Sequence, residues 1–167
     1  MITDNFLVKL FEHNNWANQK IIQACVLLTD EQLDAEPQSV TKGTIRTTLM
    51  HLVASQHNYM RTLTLSLEER LDSITVEFDE LEKSVRISGE GLLALASGEQ
   101  KPFDSRLTTK DGFYTEPWVV MLQVINHATE HREQINSMLS AQGITPPDLD
   151  GWGYGEATDA LIPISDN

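Results

Sequence analysis

The stretch Val124-Ile125-Asn126-His127-Ala128-Thr129-Glu130-His131-Arg132-Glu133-Gln134-Ile135 sets two histidines four residues apart. Four residues of α-helix turn through about 400°, so both imidazoles leave one face, one turn apart. Val120, Val124, His127, His131 and Met138 then fall on one narrow stripe, with Gln134 and Ile135 on its flanks. The pair sits within the apolar face of a long helix. Two imidazoles placed so can share one metal ion, and two protein ligands leave room for a third and for a labile water. Two core histidines, each satisfied by its own hydrogen bond, are the bland alternative.

This helix begins near Thr115-Glu116-Pro117, with Thr115 as cap and Pro117 in the first turn, and ends at Gly143 before Pro146-Pro147. Three other stretches carry helical periodicity. The first spans about Asp4 to Leu28, with Phe6, Leu7, Leu10, Ala17, Ile21 and Leu28 at spacings of three and four. Thr29 to Leu33 reads as a cap and short turn, followed by a loop from Pro37 to Gly43. The second long helix spans about Thr44 to Leu67. Between Thr47 and Leu65 its only charged residue is Arg61, which predicts cover on most sides. The third spans about Val76 to Ser97, weakened in the middle by Gly89 and Gly91. Arg106 to Thr115 reads as two extended pieces around an Asp111-Gly112 turn, a short β-hairpin. The tail from Asp148 reads as a loop with a short helical turn. The expected fold is all-α: one domain over residues 1–167, a four-helix bundle with long crossover connections and a hairpin before the last long helix.

Composition narrows the function. Twelve Lys and Arg against 25 Asp and Glu give a formal charge of −13, a surface that repels nucleic acid and anionic lipid. Cys25 is the only cysteine, so no intrachain disulfide forms, which fits a reducing compartment. The acidic start Met1-Ile2-Thr3-Asp4 leads straight into an amphipathic pattern, and no apolar stretch approaches the roughly 20 residues of a membrane span. The expectation is a cytoplasmic protein without nucleic-acid or membrane partners.

A third metal ligand is sought among Cys25, His13, His51 and His57. His51 fits best: its stripe, Thr44, Thr47, Ser55, Asn58 and Thr62, is small, polar and uncharged, suited to lining a cavity. His57 lies about 120° around the helix from His51 and should not share its site. His13 lies off the Asn14–Ala17–Ile21 face. Three imidazoles on an open site suit zinc, nickel or iron(II), and such a centre lowers the pKa of a bound water or thiol. A di-iron carboxylate site is excluded, because neither His127 nor His131 has Glu three residues before it. His127 to His131 also spells H-x-x-E-H, the inverted zinc-peptidase pattern with Glu130 as base. Glu130 lies about 60° around the helix from His127 and further from His131, a place open to a base at the rim, but in so acidic a chain it reads better as a surface carboxylate, and the peptidases need a distant carboxylate ligand for which only 36 residues follow His131.

Phe11-Glu12-His13-Asn14-Asn15-Trp16-Ala17-Asn18, Leu49-Met50-His51-Leu52, and Asn126 to Ile135 followed by Leu139 and Gly143 together resemble the DinB family. The resemblance runs over essentially the whole chain. It implies a four-helix bundle with long crossovers, a divalent metal on His51, His127 and His131, and a homodimer. It also implies kinship with transferases and isomerases that use low-molecular-weight thiols activated by the metal. A metal-dependent enzyme acting on a small electrophilic substrate is therefore expected, with a non-enzymatic metal-binding stress-response bundle as the alternative. Two positions depart from the family pattern, Glu130 and Gln123, where members often carry histidine. Gln134, Asn14, Asn58, Trp152 and Tyr154 are the candidates for groups behind the ligands or lining the pocket.

Overall fold

The computed structural model describes residues 6–37 and 43–164. Its elements are α1 (Phe6–Cys25), α2 (Asp30–Leu33), α3 (Ile45–Thr64), α4 (Leu81–Ser97), β1 (Leu107–Thr108), β2 (Tyr114–Thr115), α5 (Pro117–Ala141) and α6 (Gly151–Ala157). The long helices α1, α3, α4 and α5 form a four-helix bundle. Each of α1 and α3 packs against both α4 and α5, so α1 and α3 stand diagonally opposed. The connections α1–α3 and α4–α5 therefore cross the bundle, as expected from their length. The expected helical start at Asp4 and most of the Pro37–Gly43 loop lie outside the described residues.

Local chemistry fixes the boundaries. Thr29 and Gln32 form a reciprocal capping box that makes α2 a true helical turn, and Thr44 with Thr47 does the same for α3. The helix expected from Val76 starts only at Leu81, after a 3₁₀ turn at Phe78–Glu80. The cap of α5 is Glu116, not Thr115, because Thr115 is already committed to the hairpin opposite Leu107. Gly112, at φ 87°, takes the left-handed place in the hairpin turn. On α1 the inner face is Phe11, Asn14, Ala17, Asn18, Ile21 and Cys25. Phe6 and Leu7, expected on it, are exposed.

The apolar core is divided in two. One cluster gathers Ile21, Leu49, Leu52, Leu81 and Ile135; the other gathers Phe11, Leu63, Leu92 and Val124. A polar layer drawn from all four long helices lies where they meet. Arg132 Nη1 donates to Asn14 Oδ1 (2.9 Å) and Asn18 Oδ1 (2.6 Å), and Nη2 donates to Thr129 Oγ1. Asn18 Nδ2 and Asn14 Nδ2 both donate to Gln56 Oε1, and Gln56 Nε2 donates to Ser88 Oγ (2.9 Å). Arg132 is 3% exposed and, among the described residues, has no carboxylate in ion-pair reach. Burial pulls its guanidinium down to about 10, which leaves it charged at neutral pH.

Gly89 and Gly91 have a different role from the weakness their propensity suggests. A Cβ at Gly89 would stand 2.7 Å from Asn15 Oδ1, whose amide donates to the Gly89 carbonyl across α1–α4. A Cβ at Gly91 would meet the Met60 sulfur at 2.5 Å. Gly89→Ala should therefore destabilise by about 1–2 kcal/mol despite the higher helix propensity of alanine. Gly91→Ala should be close to neutral, because the long methionine side chain can turn away. Urea melts of the two variants measure the difference, and a stabilised Gly89→Ala would show that the close approach is not constraining.

Candidate metal centre

α3 and α5 lie side by side and run antiparallel: His51 faces His127 and His131, while Thr62 shares a cavity wall with Val119 further along. The three imidazoles converge through their Nε2 atoms. His127 Nε2 is 3.1 Å from His51 Nε2 and 3.1 Å from His131 Nε2. In tetrahedral coordination with bonds of about 2.0–2.1 Å, neighbouring ligand nitrogens stand about 3.3 Å apart, so the observed spacing is near that of a closed ligand set. The three residues could hold a metal ion.

Proton accounting supports the fit. His131 Nδ1 is 2.8 Å from Gln134 Oε1, one turn on. The amide oxygen only accepts, so the proton of a neutral His131 ring sits on Nδ1 and the Nε2 lone pair points at the other two rings. His127 Nε2 then has to serve two neighbouring ring nitrogens, which one proton shared among three in-plane lone pairs satisfies poorly. A divalent cation accepts all three lone pairs. Burial first, then the neighbouring His131 and His51 rings, push the His127 pKa down to about 4. Burial, with His131, also lowers that of His51. Both are neutral, and so competent as ligands, at neutral pH.

The setting is half-open. His127 and His131 are partly buried and His51 is exposed. The deep stripe of α5 runs through Val124, Ala128 and Arg132, and the histidines stand beside it. Tyr59 meets the His127 ring edge-on, with centroids 5.5 Å apart. Beyond it lies a cavity of about 450 Å³ walled by Ser55, Asn58, Tyr59, Thr62 and Gln123 among others. Ser55, Asn58 and Thr62 belong to the polar stripe expected to line a cavity, whereas its other two members, Thr44 and Thr47, cap α3. Asn58 is also a structural tie, donating to the Ala54 and Ile74 carbonyls and accepting from the Ile74 amide.

Other expected site residues lie elsewhere. Asn14 is in the buried polar layer. Glu130 is an exposed side chain of α5. Tyr154 packs against His13 and Trp16 of α1 and reaches Glu12, and Trp152 is 71% exposed, so α6 caps α1 and not the imidazoles. His13 is held by the Leu149 carbonyl and His57 by Ser84, away from the cluster. Cys25 is fully buried, its thiol pushed up to about 12 by burial, and is no ligand. Tyr59 is a site residue not expected from the sequence, and its position two turns beyond His51 on α3 is the signal that marks it.

Residues 1–165 match the model of the DinB family. The chain belongs to the DinB family. It is 32% identical over 151 residues to Protein DinB of Bacillus subtilis, an alignment covering 83% of this chain and 87% of that one. Two solved structures share the fold. A DinB family member from Exiguobacterium sibiricum superposes with a TM-score of 0.67 at 18% identity, over 90% of this chain and 100% of that one. A DinB-like protein from Bacillus cereus does so with a TM-score of 0.59 at 17% identity, over 85% and 94%. Among the described residues, no helix of this DinB protein is long and apolar enough to cross a membrane.

Proposed function

We propose that His51, His127 and His131 bind one divalent metal ion, zinc or nickel first and iron(II) next, and that the chain is a metal-dependent enzyme. In this reading it activates a thiol or water for attack on a small electrophile, in the manner of a thiol transferase. It works in the cytoplasm as a homodimer. The observation that carries the reading is the convergence of three Nε2 atoms one helical turn from a cavity. A metal bound there supplies Lewis acidity and lowers the pKa of a thiol or water. The chain itself holds His127 neutral by burial, fixes the His131 tautomer through Gln134, and offers Tyr59, Ser55 and Gln123 as the wall against which a substrate lies. Glu130 gives the hydrolase alternative no support, because it stays on the exposed side of α5.

Cobalt(II) substitution tests the chemistry. Addition of a small thiol such as 2-mercaptoethanol should produce a thiolate-to-cobalt charge-transfer band that His127→Ala lacks. If no thiol gives the band, while metal strongly raises thermal stability and no substrate turns over, the non-enzymatic stress-response bundle is the better reading. Gln134→Leu should weaken zinc about tenfold or more, the usual loss when the group behind a histidine ligand is removed. Competition with a chromophoric chelator measures it, and an unchanged affinity would remove Gln134 from the site.

A further inference from the structure

The cavity beside the imidazoles ends against two cations. Its wall there is formed by Arg70, Ser73, Thr109, Lys110 and Asp111, where the hairpin folds over the α3–α4 connection. Arg70 is 4% exposed. Its guanidinium is held by the Leu65 and Thr108 carbonyls, which orient it without compensating its charge. Arg61 is fixed in the same way by the Glu69 and Asp72 carbonyls. Burial, and after it the neighbouring Arg61 charge, press Arg70 below the usual arginine range. Lys110 donates to Ser73 Oγ (2.9 Å). Among the described residues neither Arg70 nor Lys110 forms an ion pair. A chain with 25 acidic residues against 12 basic ones has carboxylates to spare, yet it leaves a buried guanidinium in this wall without one. Asp111, the one carboxylate on the wall, is exposed at the hairpin turn.

We propose that this end of the cavity binds the anionic group of the substrate, so that the substrate class is small organic anions with the charged end at Arg70 and Lys110 and the reacting end toward the imidazoles. The inference rests on the proposed function for the reacting end only; the anion site needs no metal. In a chain of net charge −13 a local pair of cations inside a cavity is what draws an anion past the repelling surface. The same pair discriminates against neutral analogues, which leave the Arg70 charge uncompensated.

Succinate, its neutral isostere succinamide and inorganic phosphate are titrated into the full chain, zinc-free and zinc-loaded, with amide NMR shifts as the readout. The expected result is saturable binding of succinate or phosphate in both forms, with shifts at Thr109, Lys110 and Asp111 and none from succinamide. Lys110→Met, a change at an exposed side chain, should weaken that binding about tenfold, the scale of one charge-assisted contact. The proposal is overturned if neither anion binds, if succinamide binds as well as succinate, if Lys110→Met leaves the affinity unchanged, or if binding requires zinc. Because the zinc-free titration does not involve the imidazoles, failure of the metal reading leaves this result standing, and failure here leaves the metal reading untouched.

Discussion

Replacing Arg132 by alanine should remove about 4 kcal/mol of stability and lower Tm by about ten degrees. Asn14 Oδ1 and Asn18 Oδ1 would lose their donor inside the bundle, and each orphaned acceptor costs about 1–3 kcal/mol. Truncation also opens a cavity beside Ala128 and Ile135, which adds to the loss. Relief of a desolvated guanidinium works in the opposite direction and keeps the total below the simple sum. Arg132→Met separates these effects, because it fills the space, removes the charge and still orphans the two amide oxygens. It should lose about half as much. Urea unfolding of the three proteins gives the comparison, and an alanine variant within about 1 kcal/mol of wild type would mean that the polar layer contributes little.

The second large effect is at His127. This ring makes both 3.1 Å contacts of the cluster and so stands at its centre. A four-ligand zinc site is worth roughly 10–16 kcal/mol, so one ligand accounts for about two to three orders of magnitude in affinity. His127→Ala should weaken zinc by that factor. Zinc at a hundredfold excess over its dissociation constant should raise the wild-type Tm by about 5–10 °C, and the same zinc concentration should hardly move the variant. Differential scanning calorimetry with and without zinc reads both. Equal shifts in the two proteins would place the ion somewhere other than this cluster.

The sequence carried the bundle because its four apolar periodicities are long, and it carried His127 and His131 because their spacing is a property of one helix. His51 came from a stripe of small polar residues, of which Ser55, Asn58 and Thr62 line a cavity in the structure. The adjacency of α3 and α5 was different in kind. Periodicity says which face of a helix is buried but not which helix buries it, and that link came from the family resemblance. Arg132 was not legible, because a charged residue on an apolar stripe reads as its edge, whereas here its long side chain reaches inward. Asn14 and Asn18, one turn apart on the inner face of α1, were the trace of it: two buried amides require a partner. Gly89 and Gly91 read as weak helix, since propensity is local and the Asn15 and Met60 side chains that fill their space come from other helices. Tyr154 is a candidate pocket residue from sequence, but the aromatic surface of α1 holds it away from the imidazoles.

The most direct test of the three-histidine centre is the metal content of the protein purified without a polyhistidine tag, loaded with zinc, desalted and analysed by inductively coupled plasma mass spectrometry. The expected result is one zinc ion per chain, lost in His127→Ala and in His51→Ala while both variants stay folded by circular dichroism. A wild-type protein that retains no metal, or a His127→Ala variant that retains it in full, would contradict the three-histidine centre.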